Sequence, residues 1–178
     1  MKKILFSFLV VAAIAAAPSK MLAQTNSANT PTSVTIINPI TLTQVDGMSF
    51  GIIGVTAAAS GDATLSTAGT VTLTVGGLTL QGGSSRSAHY YLSGDAGKTY
   101  AVTLPATISL FGGSGAPLIV SDLVAKCGTG ADQAQGTITG TLDGTGVDEI
   151  KVGGKLTIPL STTAADYTGT FPISVAYN

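Results

Sequence analysis

Three features of this sequence predict an all-β fold, a two-sheet sandwich of about eight or nine short strands. Apolar residues alternate with small or polar ones wherever the chain is patterned. Twenty-three glycines and abundant threonine supply tight turns and strand surface, with only 10% charged residues. No stretch of ten or more residues repeats with a helical period after a cap.

The first element is not part of that fold. "MKK" is a basic n-region, "ILFSFLVVAAIAAA" an apolar run, and "PSKMLAQ" a cleavage region. Together they predict a secretory signal peptide over residues 1–23. Its apolar run, Ile4–Ala17, is shorter than the ~20 residues a membrane helix needs, so no transmembrane span is expected. No cysteine follows the cleavage region, which argues against a lipoprotein anchor. The protein is therefore expected in the periplasm, on the cell surface or outside the cell. Removing Lys2, Lys3 and Lys20 leaves five basic residues against nine acidic, a net charge of −4. Scattered cations on an acidic chain offer no footprint for nucleic acid. The single cysteine, Cys127, excludes an internal disulfide, so stability rests on burial and backbone pairing.

Residues 24–32, "QTNSANTPT", are polar and aperiodic and read as a leader, with one sandwich domain over 33–178. "SVTIINPITLT" places Val34, Ile36, Ile40 and Leu42 on one face, with Asn38 the polar member. Pro39 has no N–H, so this stretch is either an edge strand or two shorter ones. In "MSFGII", Met48, Phe50 and Ile52 share a face. "TVTLTVGGLTL" has the phase of a tight hairpin turning at Gly76–Gly77, with Leu73 opposite Leu80. Ala88, Tyr90 and Leu92, then "SGDAGK", then Tyr100, Val102 and Leu104 predict another strand pair. "SGDA" also occurs at Ser60–Ala63, and both copies read as turn chemistry. "FGGSGAP" is a loop, Leu118 and Val120 lie in a strand, "CGTGADQAQG" is a loop and "TITGTL" a short strand. At Gly153–Gly154 a tight turn would put Ile150 opposite Thr157, out of phase. Read straight through, Ile150, Val152, Gly154, Leu156, Ile158 and Leu160 share a side, which predicts one long strand with a bulge or bend. The last strand places Phe171, Ile173, Val175 and Tyr177 on one face.

Signs of catalysis are thin, and no enzyme is predicted. His89, the only histidine, falls in a strand, where it reads as an outward residue. Neither "GGSG" nor "GGSSR" has the strand–elbow–helix setting of a hydrolase serine. Cys127 lacks a neighbouring base and reads as a free thiol. Asp143, Asp148 and Glu149 cluster without the alternating carboxylates of a calcium loop and read as a solvated turn. No catalytic residue, metal site or cofactor is expected.

The order "VTIINPITLTQVDGMSFGII", "GTVTLT", "GKTYAVTLP", "KVGGKLTIP" and "DYTGTFPISVAYN" resembles a bacterial secreted family catalogued as a domain of unknown function (4402 type). That family is in turn similar to fimbrial, pilin and spore-coat-protein-U-like subunits. The resemblance covers roughly residues 33–178 and implies an immunoglobulin-like sandwich of pilin or adhesin type. It implies a structural or adhesive cell-surface subunit that assembles by β-strand donation, a form of β-augmentation. Its partners would be itself, other surface subunits or a periplasmic chaperone. Phe171, Ile173, Val175 and Tyr177 would then form the chaperone-facing strand, and Val34, Ile36, Ile40 and Leu42 the donor. Two other classes stay open. One is a self-complete binding module for glycan or protein, with Tyr90, Tyr91 and Tyr100 as a stacking platform. The other is a small outer-membrane barrel, disfavoured because the aromatics do not gather at strand ends.

Overall fold

Alternation of apolar and polar residues becomes strand almost throughout. The computed structural model describes residues 26–56, 60–74 and 76–178. The signal peptide expected at 1–23 and the start of the leader lie outside the described residues. The described residues 26–35 belong to a separate unit from the rest, are exposed and carry no strand.

The remainder is all-β and antiparallel. Along the chain come β1 (Thr41–Asp46), β2 (Ser49–Phe50), β3 (Ile53–Val55), β4 (Gly61–Leu65), β5 (Val71–Thr74), β6 (Leu78–Leu80) and β7 (Ser85–Arg86). Then follow β8 (Ala88–Ser93), β9 (Thr99–Thr103), β10 (Ile108–Leu110), β11 (Leu118–Cys127), β12 (Asp132–Ala134), β13 (Ile138–Thr141), β14 (Val147–Ile158) and β15 (Ser174–Tyr177). Among the described residues fifteen strands, most of them short, replace the eight or nine expected, because glycines and bulges break several into pieces.

The large sheet is built on β14 and β11, its two long strands. β8 pairs with the first half of β14 and β4 with the second, so two short strands share one edge of β14 in tandem. β12 and β10 share the far edge of β11 in the same way. β1 closes one flank against β8, and β5 lies outside β4. The small sheet runs β13–β9–β15, and β2–β7 and β3–β6 are separate ribbons. Immunoglobulin-type sandwiches place strands A, B, E and D in one sheet and C, F and G in the other. Here β1, β8, β14 and β11 follow in the first order, and β9 and β15 stand where C and F stand. Among the described residues no strand takes the place of G beside β15.

The core lies between the sheets. Tyr90, Leu92, Ile150, Val152, Val120 and Leu123 come from the large sheet, and Tyr100, Val102 and Ile138 from the small one. The straight reading of Gly153–Gly154 is what the chain does, since β14 runs unbroken from Val147 to Ile158. A Cβ at Gly153 would run into the Leu65 carbonyl, so glycine is required where β14 changes partner from β8 to β4. The bulge falls on the neighbouring strand. β11 shifts register between Ser121 and Val124, with Asp122 at φ +48°, and its inward set moves from Leu118 and Val120 to Leu123, Ala125 and Cys127.

Several expectations need correction. The Gly76–Gly77 hairpin does not form: β5 pairs with β4, β6 pairs with β3, and the two belong to different sheets. β8 and β9 also lie in different sheets, so "SGDAGK" crosses the sandwich and joins no ladder. The first "SGDA" is mostly strand, since Gly61–Ala63 begin β4. The "CGTGADQAQG" loop contains β12. Gly51, at φ +75°, resets the alternation, so Ile53 and not Ile52 packs on the core. Leu160 lies past the end of β14 and is exposed.

Candidate functional site

The two sides of the sandwich are finished differently. On one side, Gln133 of β12 donates its Nε2–H to the Thr139 carbonyl of β13 (2.7 Å) and accepts the Thr139 N–H at its Oε1 (2.9 Å). One side-chain amide thus occupies the outer edge of β13 and joins it to the large sheet. On the other side stand two edge strands, β1 and β15. β15 pairs with β9 alone, with Val175 opposite Val102 and Tyr177 opposite Tyr100. Among the described residues, nothing pairs with its outer edge.

A polar clamp ties the far end of β15 to the chain entering β1. The Tyr177 hydroxyl accepts the Asp95 N–H (2.7 Å) and donates to the Asn38 carbonyl (3.0 Å). Asn38 donates its Nδ2–H and its backbone N–H to Asp95 Oδ1, at 2.6 and 3.2 Å. Asn38, the polar member of an otherwise apolar face, is thereby accounted for.

At one end of the large sheet the buried inner face is covered by half-buried residues. A cleft of about 1150 Å³ opens there, floored by Tyr90, Ile108, Leu118, Val120, Leu156 and Ile158 and rimmed by Met48, Phe50, Tyr167 and Phe171. It exceeds the range of about 300–1,000 Å³ common for small-molecule sites. The rim residues are half-buried although they pack on the core. Sequence reasoning placed Met48 and Phe50 in a strand without assigning them to a site. It missed Tyr167, which stands in an aperiodic stretch between β14 and β15.

The eight residues singled out from sequence separate into three groups. Val175 and Tyr177 lie in β15, while Phe171 and Ile173, expected in the same strand, fall in the chain just ahead of Ser174; all four pack on the core and remain half-buried. Ile40 and Leu42 pack on the protein's own core, Leu42 within β1 opposite Leu92. Val34 and Ile36 are 84% and 89% exposed and lie outside any strand. The single stretch read from Val34 to Leu42 is therefore cut at Asn38–Pro39, and only its second part is a strand of the described fold.

The remaining chemical candidates are bound up in structure. Tyr100 donates its hydroxyl to Asp148 across the sandwich, and burial first, then this bond, pushes its pKa up. Cys127 is buried beside it, and burial raises the thiol pKa, away from thiolate chemistry. Asp143 Oδ1 accepts hydrogen bonds from Thr145 N–H, Thr145 Oγ1–H and Val147 N–H, which close its own turn. His89 stands on the outer side of the large sheet, its Nε2 3.3 Å from Glu149 Oε2 but not aligned for a hydrogen bond, and its ring 5.1 Å from that of Tyr91. Tyr90 and Tyr100 are turned into the core, leaving Tyr91 alone outside. No helix among the described residues is long and apolar enough to cross a membrane.

Comparison with known families gives one result: the chain belongs to the family described as "Domain of unknown function (DUF4402)", whose model matches residues 40–177. No curated protein matches the chain.

Proposed function

We propose that this member of the family is an exported, non-catalytic structural or adhesive subunit of the cell surface, fimbrial-like in plan, that assembles by β-strand donation. One observation carries the reading. Among the described residues the last strand offers an unpaired edge, with Phe171 just ahead of it on the rim of a cleft, while the same chain holds two exposed apolar residues, Val34 and Ile36, ahead of its first strand. An extended segment laid along β15 would satisfy that edge and set alternate side chains beside Val175 and Tyr177, against the core. Burying Val34 and Ile36 would contribute about 1.5–3 kcal/mol each, and each added backbone hydrogen bond about 0.5–1.5 kcal/mol. A periplasmic chaperone strand would occupy the same edge before assembly.

The test compares the chain beginning at Gln24 with one beginning at Pro39, by size exclusion with light scattering over a concentration series. The longer chain is expected to form concentration-dependent oligomers and the shorter to remain a monomer that binds a peptide of residues 31–38. Monomers in both cases, with no peptide binding, would sink strand donation.

A further inference from the structure

The large cleft meets the chain ahead of β15 at Phe171. It shares Ile108 and Phe171 with a second depression of about 560 Å³, walled by Pro105, Thr107, Thr170 and Pro172 around Phe111. Phe111 is 64% exposed, yet its position is fixed: its N–H and C=O pair with Thr168 at 2.8 and 2.9 Å. No charged residue lines this depression. An exposed, backbone-anchored aromatic in an uncharged hollow has the composition of an interface centre.

We propose that the Phe111 hollow is the second half of a subunit contact, receiving the chain just ahead of β1, Ile37 to Pro39, of another copy of this protein. The inference rests on the strand-donation reading and follows from direction and length. β15 runs from the Phe111 end of the sandwich toward the Tyr177 clamp. A donated segment pairing antiparallel with it, the slightly more stable arrangement, must run from Tyr177 toward Phe171. Residues 33–37 extended cover about 17 Å at ~3.3 Å each, enough to span β15, so the donor's Asn38 emerges ahead of Ser174, beside the Phe171 and Pro172 wall of the Phe111 hollow. Strand alternation that sends Val34 and Ile36 inward beside Val175 and Tyr177 turns Ile37, itself half-exposed, to the opposite face at that exit. The contact joins two different surfaces, so it is head-to-tail and open-ended, the geometry that builds filaments.

Phe111→Thr keeps the backbone pair with Thr168 and removes only the ring. In the chain beginning at Gln24, both Phe111→Thr and Ile37→Thr are expected to raise the concentration for half-dissociation at least tenfold, and the double variant to be little worse than either single one. The same Phe111→Thr change in the chain beginning at Pro39 should leave the unfolding midpoint unmoved, which separates assembly from folding. Unaltered dissociation of Phe111→Thr, with the Pro39 chain still monomeric, overturns the hollow and leaves strand donation standing. Association without residues 24–38, or a Gln24 chain that never associates, overturns both.

Discussion

Gln133 carries a side chain from the large sheet to the small one, Tyr177 ties the small sheet only to the connecting residues Asn38 and Asp95, and they finish their sides of the sandwich to different degrees. The Gln133 amide supplies a donor and an acceptor to one residue of β13, as a neighbouring strand would. Behind it, Ile138 is 2% exposed and Val102 4%. Tyr177 supplies only a hydroxyl at the tip of β15, and Val175 within the strand and Phe171 and Ile173 ahead of it stay half-buried. The alternation of residue types is as regular in β15 as in β9. What differs is the neighbour, and burial follows the neighbour.

The contrast can be broken by mutation, most sharply where burial is deepest. In the chain beginning at Pro39, Ile138→Ala should lower stability by about 2–5 kcal/mol in denaturant titrations, through the cavity it leaves. Val175→Ala, already in partial contact with water, should cost about 1 kcal/mol there and more once the chain is assembled. Equal losses in the unassembled chain would mean that the β15 side is as closed as the other. Next in size is Gly140→Ala on the closed side. Its Cβ would overlap the ring of Tyr100, which is buried and held by Asp148, and crowd Cys127. A loss of about 1–3 kcal/mol is expected from this overpacking.

Removing the two ties themselves should have smaller effects. Tyr177→Phe leaves the Asp95 N–H and the Asn38 carbonyl without their partner and should cost about 1 kcal/mol, with faster amide exchange at Asp95. Gln133→Ala deletes two exposed hydrogen bonds, and about 1 kcal/mol or less is expected, because water replaces them. Smallest of all is the turn that belongs to neither side. The Val147 N–H, then the Thr145 hydroxyl and N–H, hold the Asp143 carboxyl below its ordinary pKa of 3.8. A lowered folded pKa favours the folded state above the ordinary value. That contribution should be whole at neutral pH and fade as pH falls below about 3.8 through the lowered folded value. Asp143→Asn should flatten this acid limb and leave the rest of the pH profile unchanged.

Much of the inward face was legible in the residues alone. Ala88, Tyr90 and Leu92, Tyr100, Val102 and Leu104, and Ile150 through Ile158 are buried as their alternation requires. The site was legible in part: the last strand's face could be read, and Asn38–Pro39 marked a break. The rim residue Tyr167 could not be found, because no local period reports on a segment that crosses between sheets. Gly51 and Asp122 show why alternation is trusted only between irregularities. Each shifts the phase by one residue, and in the sequence a phase shift looks like the end of a strand.

By itself, then, the sequence determined which side chains face inward along each uninterrupted stretch of strand, and that Gly153–Gly154 continues a strand where Gly76–Gly77 does not. The physical reason is local: successive side chains of an extended backbone point to opposite faces whatever lies beside it. Only the tertiary structure decided the partners. β5 and β6 look like a hairpin and are not one, β8 and β9 adjoin in sequence and lie in different sheets, and β15 carries a strand's pattern with one edge unpaired. Backbone hydrogen bonds link residues far apart in the chain, so the neighbour of each strand, or its lack of one, is a property of the whole fold.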